Sequence, residues 1–379
     1  MKRFLLGTVL LIAAVVAGLL LWLRSGGGTV VQLSEQDMEA ARASGAAAQQ
    51  IVVEATADDE APLPTLLELK EIASREEMSE IASRIRAERA VAAPEEKALL
   101  AVLLSEVERF SGDLGTAYEL ALEGAEALPE NSRARHMLAK AVLGRIIAKS
   151  EDGMGALFSV LGDVKTYKAE VGAAVDLDPT NADARVGQIL TLLMPRAMGG
   201  NKDRAKELIE ELGPLDPLRR DFWRAQLIAM DKKRRPEAIV EFGKLVIKYP
   251  GDADMLLSLG DLYVREEQWE KAIATFDEVI ELDGPRTPFT YRALYEGAKA
   301  RLRVEGQAAG ALGMLEVFAA ANPVGEPMPA MDRVKFEMGR ALTELERFEE
   351  AVATLEEALL LKPGDGRIEK ALEEARAGA

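Results

Sequence analysis

Apolar and polar positions change rhythm three times along this chain. Phe4 to Leu23 is an unbroken apolar run, FLLGTVLLIAAVVAGLLLWL, with Lys2 and Arg3 before it and Arg24 after it. At about 1.5 Å per helical residue it reaches roughly 30 Å, the thickness of a bilayer's hydrocarbon core. A cleaved signal peptide has a shorter apolar stretch and ends in small residues. Here Leu21-Trp22-Leu23-Arg24 closes the run. Residues 1–24 are therefore predicted to be a cytoplasmic tip and an uncleaved transmembrane anchor. The flanking positive charges leave the N-terminus inside and send the rest across.

Periodicity is lost in residues 25–64, where Gly, Ala, Ser, Gln and acids dominate and Pro62 and Pro64 close the segment. This stretch reads as a flexible acidic linker. From Thr65 the apolar residues Leu66, Leu69, Ala73, Met78, Ile81 and Ile85 recur at three- to five-residue spacings. They predict an amphipathic helix over 65–94. It is expected to be an N-terminal cap on the helices after it, with a dimerisation helix as the alternative.

Beyond residue 94 the amphipathic pattern repeats. Gly339, Leu342, Ala351, Leu355, Ala358 and Pro363 fall at offsets 0, 3, 12, 16, 19 and 24. Gly260, Tyr263, Ala272, Phe276 and Val279 fit the same ruler, and Ala238 precedes Ala272 by 34 residues. Further copies are marked by Ala238, Phe242 and Pro250, by Gly306, Ala311, Leu315 and Pro323, and by Gly112, Ala117 and Pro129. Small residues at such spacings let two antiparallel helices approach, and the proline ends the second. The pattern resembles the tetratricopeptide repeat over about residues 95–365. The resemblance implies an all-α solenoid of about seven helix pairs, degenerate in about 131–217, with residues 366–379 as a C-terminal capping helix. A second, local resemblance lies in LDPTNADARVGQILTLLMPRAMGGNKDRAKELIEEL. Its Pro195, Gly199 and Gly200 are similar to a loop in the T component associated with TRAP transporters, which implies a ligand-pocket loop there.

Composition narrows the function. The chain has 379 residues and a formal net charge of −17. Residues 1–24 contribute only positive side chains, so the acidity belongs to the rest. Such a surface repels phosphate backbones, and no nucleic-acid partner is expected. There is no cysteine, and His136 is the single histidine, so thiolate and histidine-cluster metal sites and cysteine nucleophiles are excluded. No acid–base pair stands out among the many carboxylates. The chain is therefore read as non-enzymatic, with no catalytic residue, cofactor or metal.

The repeat implies instead that the first helix of each pair lines the inside of the superhelix, at about its second, fifth, ninth and twelfth positions. Those positions nominate Arg220, Trp223, Leu227, Leu257, Arg303, Phe336 and Arg340 as a protein-binding groove. The fifth positions hold apolar residues and a Glu, which suits a segment with hydrophobic anchors. The expected function is a scaffold or chaperone-like adaptor, with an envelope protein or peptide as partner. It would be anchored in the cytoplasmic membrane with its solenoid on the periplasmic side. A small-ligand-binding component of a transport system, using Pro195, Gly199 and Gly200, is the alternative.

Overall fold

The computed structural model describes residues 63, 69, 72–150, 157–283, 287–325 and 328–379. The apolar run Phe4–Leu23 and nearly all of the 25–64 linker lie outside them. Among the described residues no helix is long and apolar enough to cross a membrane.

Those residues form sixteen α-helices and no strand. Helix α1 (Arg75–Val91) leads, and seven pairs come after it. They are α2 and α3 (Pro94–Ser111, Leu114–Ala127), α4 and α5 (Ser132–Ser150, Leu157–Leu177), α6 and α7 (Ala182–Leu193, Lys202–Glu211), and α8 and α9 (Pro217–Ala229, Arg235–Lys248). Then come α10 and α11 (Ala253–Arg265, Trp269–Asp283), α12 and α13 (Pro288–Arg301, Ala308–Ala321), and α14 and α15 (Met331–Glu344, Phe348–Leu361). Helix α16 (Gly366–Gly378) closes the array.

The predicted helix from Thr65 is interrupted. Ile72, Ala73 and Ser74 are not helical, and the Ser74 side chain accepts from the Glu77 N–H at 3.2 Å, starting α1 afresh. Apolar periodicity runs through this break because Leu69, Ala73, Met78 and Ile81 are buried on both sides of it.

Helix starts are written locally. Asn131, Asn181, Asp216, Asp252, Thr287 and Asp365 each open the first helix of a pair or the final cap by accepting a backbone N–H in the first turn. Four of the turns inside a pair share one device, a residue at positive φ. Gly112 and Gly306 supply it at 92° and 76°, Glu267 and Glu346 at 56° and 58°, all five residues before the small Ala of the second helix.

Close packing comes from those small residues. Ala117, Ala238, Ala272, Ala311 and Ala351 are fully buried. A Cβ on Gly339 would lie 2.4 Å from Leu355 Cγ, so only hydrogen fits between α14 and α15. Successive first helices also touch directly, as α2 does α4, α10 does α12 and α14 does α16. Their closer approach puts the first helices on the inner side of the curve.

Candidate partner-binding groove

Much of the inward face is tied to itself from one repeat to the next. Glu106 of α2 is fully buried and accepts from Arg109 at 2.7 and 2.8 Å and from Lys140 of α4. Burial alone would raise its pKa, but Arg109 and Lys140 together hold it well below the usual carboxylate range. The Arg109 guanidinium sits 4.5 Å from the centre of the Phe110 ring. Further along, Arg219 of α8 pairs with Asp183 of α6 at 2.9 Å. Gln226 of α8 donates to Ser258 of α10 at 3.1 Å, and Arg292 of α12 to Asp261 of α10 at 2.5 Å.

At the C-terminal end this face opens into a cleft of about 220 Å³ between α12, α14 and α16. Tyr295 and Lys299 form one wall. Asp332, Arg333, Phe336 and Glu337 form the floor, and Arg367 and Ile368 the other wall. Phe336 is half-buried, with the guanidinium carbons of Arg340 and Arg367 each 5.9 Å from its ring centre. Three of the cations are braced by neighbours in sequence. Arg340 donates to Glu337 at 2.6 Å, and Lys299 to Glu296 at 2.7 Å. Arg367 donates to both oxygens of Asp365, at 3.1 and 2.8 Å. That bond from Arg367 leads the causes that bring Asp365 down to about 2. The Lys299 ammonium lies 5.0 Å from the Tyr295 ring centre, and burial pushes the Tyr295 hydroxyl far above its ordinary pKa. An aromatic face beside pre-positioned guanidinium groups suits an apolar or aromatic anchor with a neighbouring carboxylate.

The structure divides the residues nominated from sequence. Phe336 and Arg340 stand together at the cleft. Trp223 and Leu257 do not line an open groove; they are buried in the core, 4% and 0% exposed. Trp223 packs in the cluster that includes Met255 and Leu259 of α10, and Leu257 in the one that includes Ala293 and Ala300 of α12. Each is covered by the first helix of the next unit. Phe336, with only the final cap α16 after its pair, stays partly open. Leu227 is half-buried against the same cluster as Trp223. Arg220 bonds to Asp221 at 2.8 Å. Arg303 is exposed beyond the end of α12, 6.0 Å from the Trp269 ring centre.

Pro195, Gly199 and Gly200 do not line the cleft. They belong to a tight turn around the 3₁₀ segment Arg196–Met198. The Gly200 N–H donates to the Pro195 carbonyl at 3.0 Å, and Lys168 reaches the Met198 carbonyl. Gly199 has φ 82°, and a Cβ on Gly200 would fall 1.6 Å from the Met194 carbonyl oxygen. Backbone fills the space that a side chain at Gly200 would need.

The cleft residues not nominated from sequence had a signal. Arg367 comes 34 residues after Arg333, so extending the ruler one unit into the cap helix places it at a second, inward position. Tyr295 and Lys299 lie one residue before and three residues after Glu296, the fifth-position Glu, on the side of α12 that faces the cleft. No sequence ruler distinguishes an inter-repeat face that is packed from one that is left ajar. Among the described residues no group of His, Asp or Glu could hold a metal.

Two tetratricopeptide-repeat profiles match the chain, over residues 256–287 and 332–365. The chain contains tetratricopeptide repeats. No curated protein sequence matches it. Among solved structures, yeast Tom70 is similar with a TM-score of 0.62 and 17% identity, over 86% of this chain and 66% of that one. This chain thus spans just under two thirds of the length of Tom70, and the likeness shows the fold. PilW, a type IV pilus biogenesis factor, gives a TM-score of 0.42 at 16% identity, over 60% of this chain and 98% of that one. YrrB, a repeat protein with an unusual peptide-binding site, gives 0.33 at 16%, over 67% and 97%. Tetratricopeptide folds bind peptides or proteins, and the repeats indicate an interaction scaffold or adaptor.

Proposed function

We propose that the chain is a non-catalytic scaffold or chaperone-like adaptor that takes a segment of an envelope protein into the α12–α14–α16 cleft. The observation that carries this is Phe336 lying half-open between Arg340 and Arg367 in an otherwise acidic chain. The bound segment would place an apolar or aromatic side chain against Phe336 and a carboxylate on Arg333 or Arg367. The tether is part of the proposal: Phe4–Leu23 anchors the protein in the cytoplasmic membrane, and the solenoid works outside. Its support is the length of that run and the positive charges that precede it.

The test is site-specific photocrosslinking in cells. A benzophenone analogue replaces Phe336, and in a control it replaces exposed Ile247 on α9. The proposal expects one defined partner at Phe336, lost on Arg367→Ala with Arg340→Ala, and no such product at Ile247. Equal products at both positions, or a partner indifferent to the arginines, would refute it.

A further inference from the structure

The connection after the sixth pair does more than join α13 to α14. Asn322 ends α13 in the left-handed region at φ 42° and turns the chain inward. Pro323 and Val324 are then buried, Val324 to 2% exposure. Val324 belongs to the apolar cluster of the N-terminal elements, with Leu69, Ile85, Val107 and Phe110. The backbone is bonded there too. The Val324 N–H donates to the Ala73 carbonyl at 2.8 Å, and the Gly325 N–H to the Phe110 carbonyl at 3.0 Å. Both acceptors lie more than two hundred residues earlier in the chain.

Neither acceptor is satisfied within a helix. Ala73 sits in the break before α1, and Phe110 is the last residue but one of α2, whose final carbonyls have no intrahelical donor. Gly325 is held on its other side too, at φ 122°, where a Cβ would approach Pro288 Cγ to 2.8 Å. A repeat array is ordinarily held by contacts between neighbouring units. Here the sixth unit is bonded to the first.

From these contacts we infer that residues 322–325 are a strap that closes the solenoid on its own first unit, and that releasing it opens the array. Among the described residues the attachment is small: one buried valine and two backbone hydrogen bonds. The joints between successive pairs are far larger. The array can therefore part at the strap while each pair stays folded. Helix α14 begins shortly after the strap, so opening carries the cleft away from the first unit. The inference stands on the closure geometry and does not depend on what the cleft binds.

The chain has no cysteine, which makes a distance measurement direct. Glu80→Cys on α1 and Glu349→Cys on α15, both exposed, are spin-labelled in the full-length protein in detergent micelles. Pulsed dipolar spectroscopy should give one narrow distance for the otherwise unaltered chain. Val324→Asp, which puts a charge into the cluster, should raise the longer-distance fraction by about tenfold or more with helix content unchanged. If that variant fails to fold, Val324→Ala should still give a mixture of narrow and long distances. A broad distribution in the parent chain overturns the strap, as does a folded variant that keeps the narrow distance. So does loss of the narrow distance on dilution with unlabelled protein, which would make the contact one between two copies.

Discussion

Gly339 and Gly243 offer the same substitution with opposite expected signs. Both are interior to helices, Gly339 in α14 and Gly243 in α9. Alanine in a helix interior gains about 1 kcal/mol over glycine from backbone entropy. At Gly243 nothing lies within 4 Å of the new Cβ, so that gain should survive, and Gly243→Ala should stabilise by about 0.5–1 kcal/mol. At Gly339 the Cβ would meet Leu355 Cγ at 2.4 Å, Cδ2 at 2.6 Å and Cδ1 at 3.1 Å. Leu355 is fully buried, and its branch point cannot swing aside as a chain end could. Overpacking of this kind costs about 1–3 kcal/mol, so after the entropy gain Gly339→Ala should be net destabilising by up to about 2 kcal/mol. Urea unfolding monitored by far-UV circular dichroism reads the difference between the two variants as the overpacking cost itself, about 1–3 kcal/mol. Thermal midpoints should move in opposite directions by roughly 2–4 °C per kcal/mol. If both variants shift upward, α14 and α15 are not as close as the structure places them, and the small-residue account of the repeat fails.

Other expectations rest on separate contacts. Ala351→Leu, at a fully buried position of α15, should overpack the same pair and cost roughly 1–3 kcal/mol; unchanged thermal unfolding would contradict the repeat register. Glu346→Gly relieves a left-handed glutamate at φ 58° and should stabilise by about 0.5–1 kcal/mol, seen as a higher urea midpoint. Glu106→Gln removes the buried carboxylate to which Arg109 and Lys140 are bonded and should cost about 3–5 kcal/mol at neutral pH. Because Glu106 titrates below its ordinary value of 4.5, its contribution is complete above that pH and is lost as pH falls further. The parent chain should therefore lose stability relative to Glu106→Gln in acid titrations below about pH 4.5, and parallel curves would refute the buried pairing.

The parts of this protein legible in its sequence are those decided within about 34 residues. Offsets of small and apolar residues around Gly339 and Gly260 mark the helix pairs, because a helix repeats its face every 3.6 residues and a close approach needs a missing side chain. Cap residues such as Asp252 and Asn181 mark where helices begin, because they bond the first turn's own N–H groups. The inward face was legible only in outline. Each residue rotates a side chain by about 100° around its helix, so a fifth position can point into a groove or beneath the next helix. Phe336 does the first and Trp223 and Leu257 the second, a choice decided by how α10 packs on Trp223 and α12 on Leu257. The helix break at Ile72–Ser74 and the union of Val324 with Ala73 were not legible at all. They depend on how far the curvature of six successive pairs carries the chain round, a sum of small rotations that no local window contains.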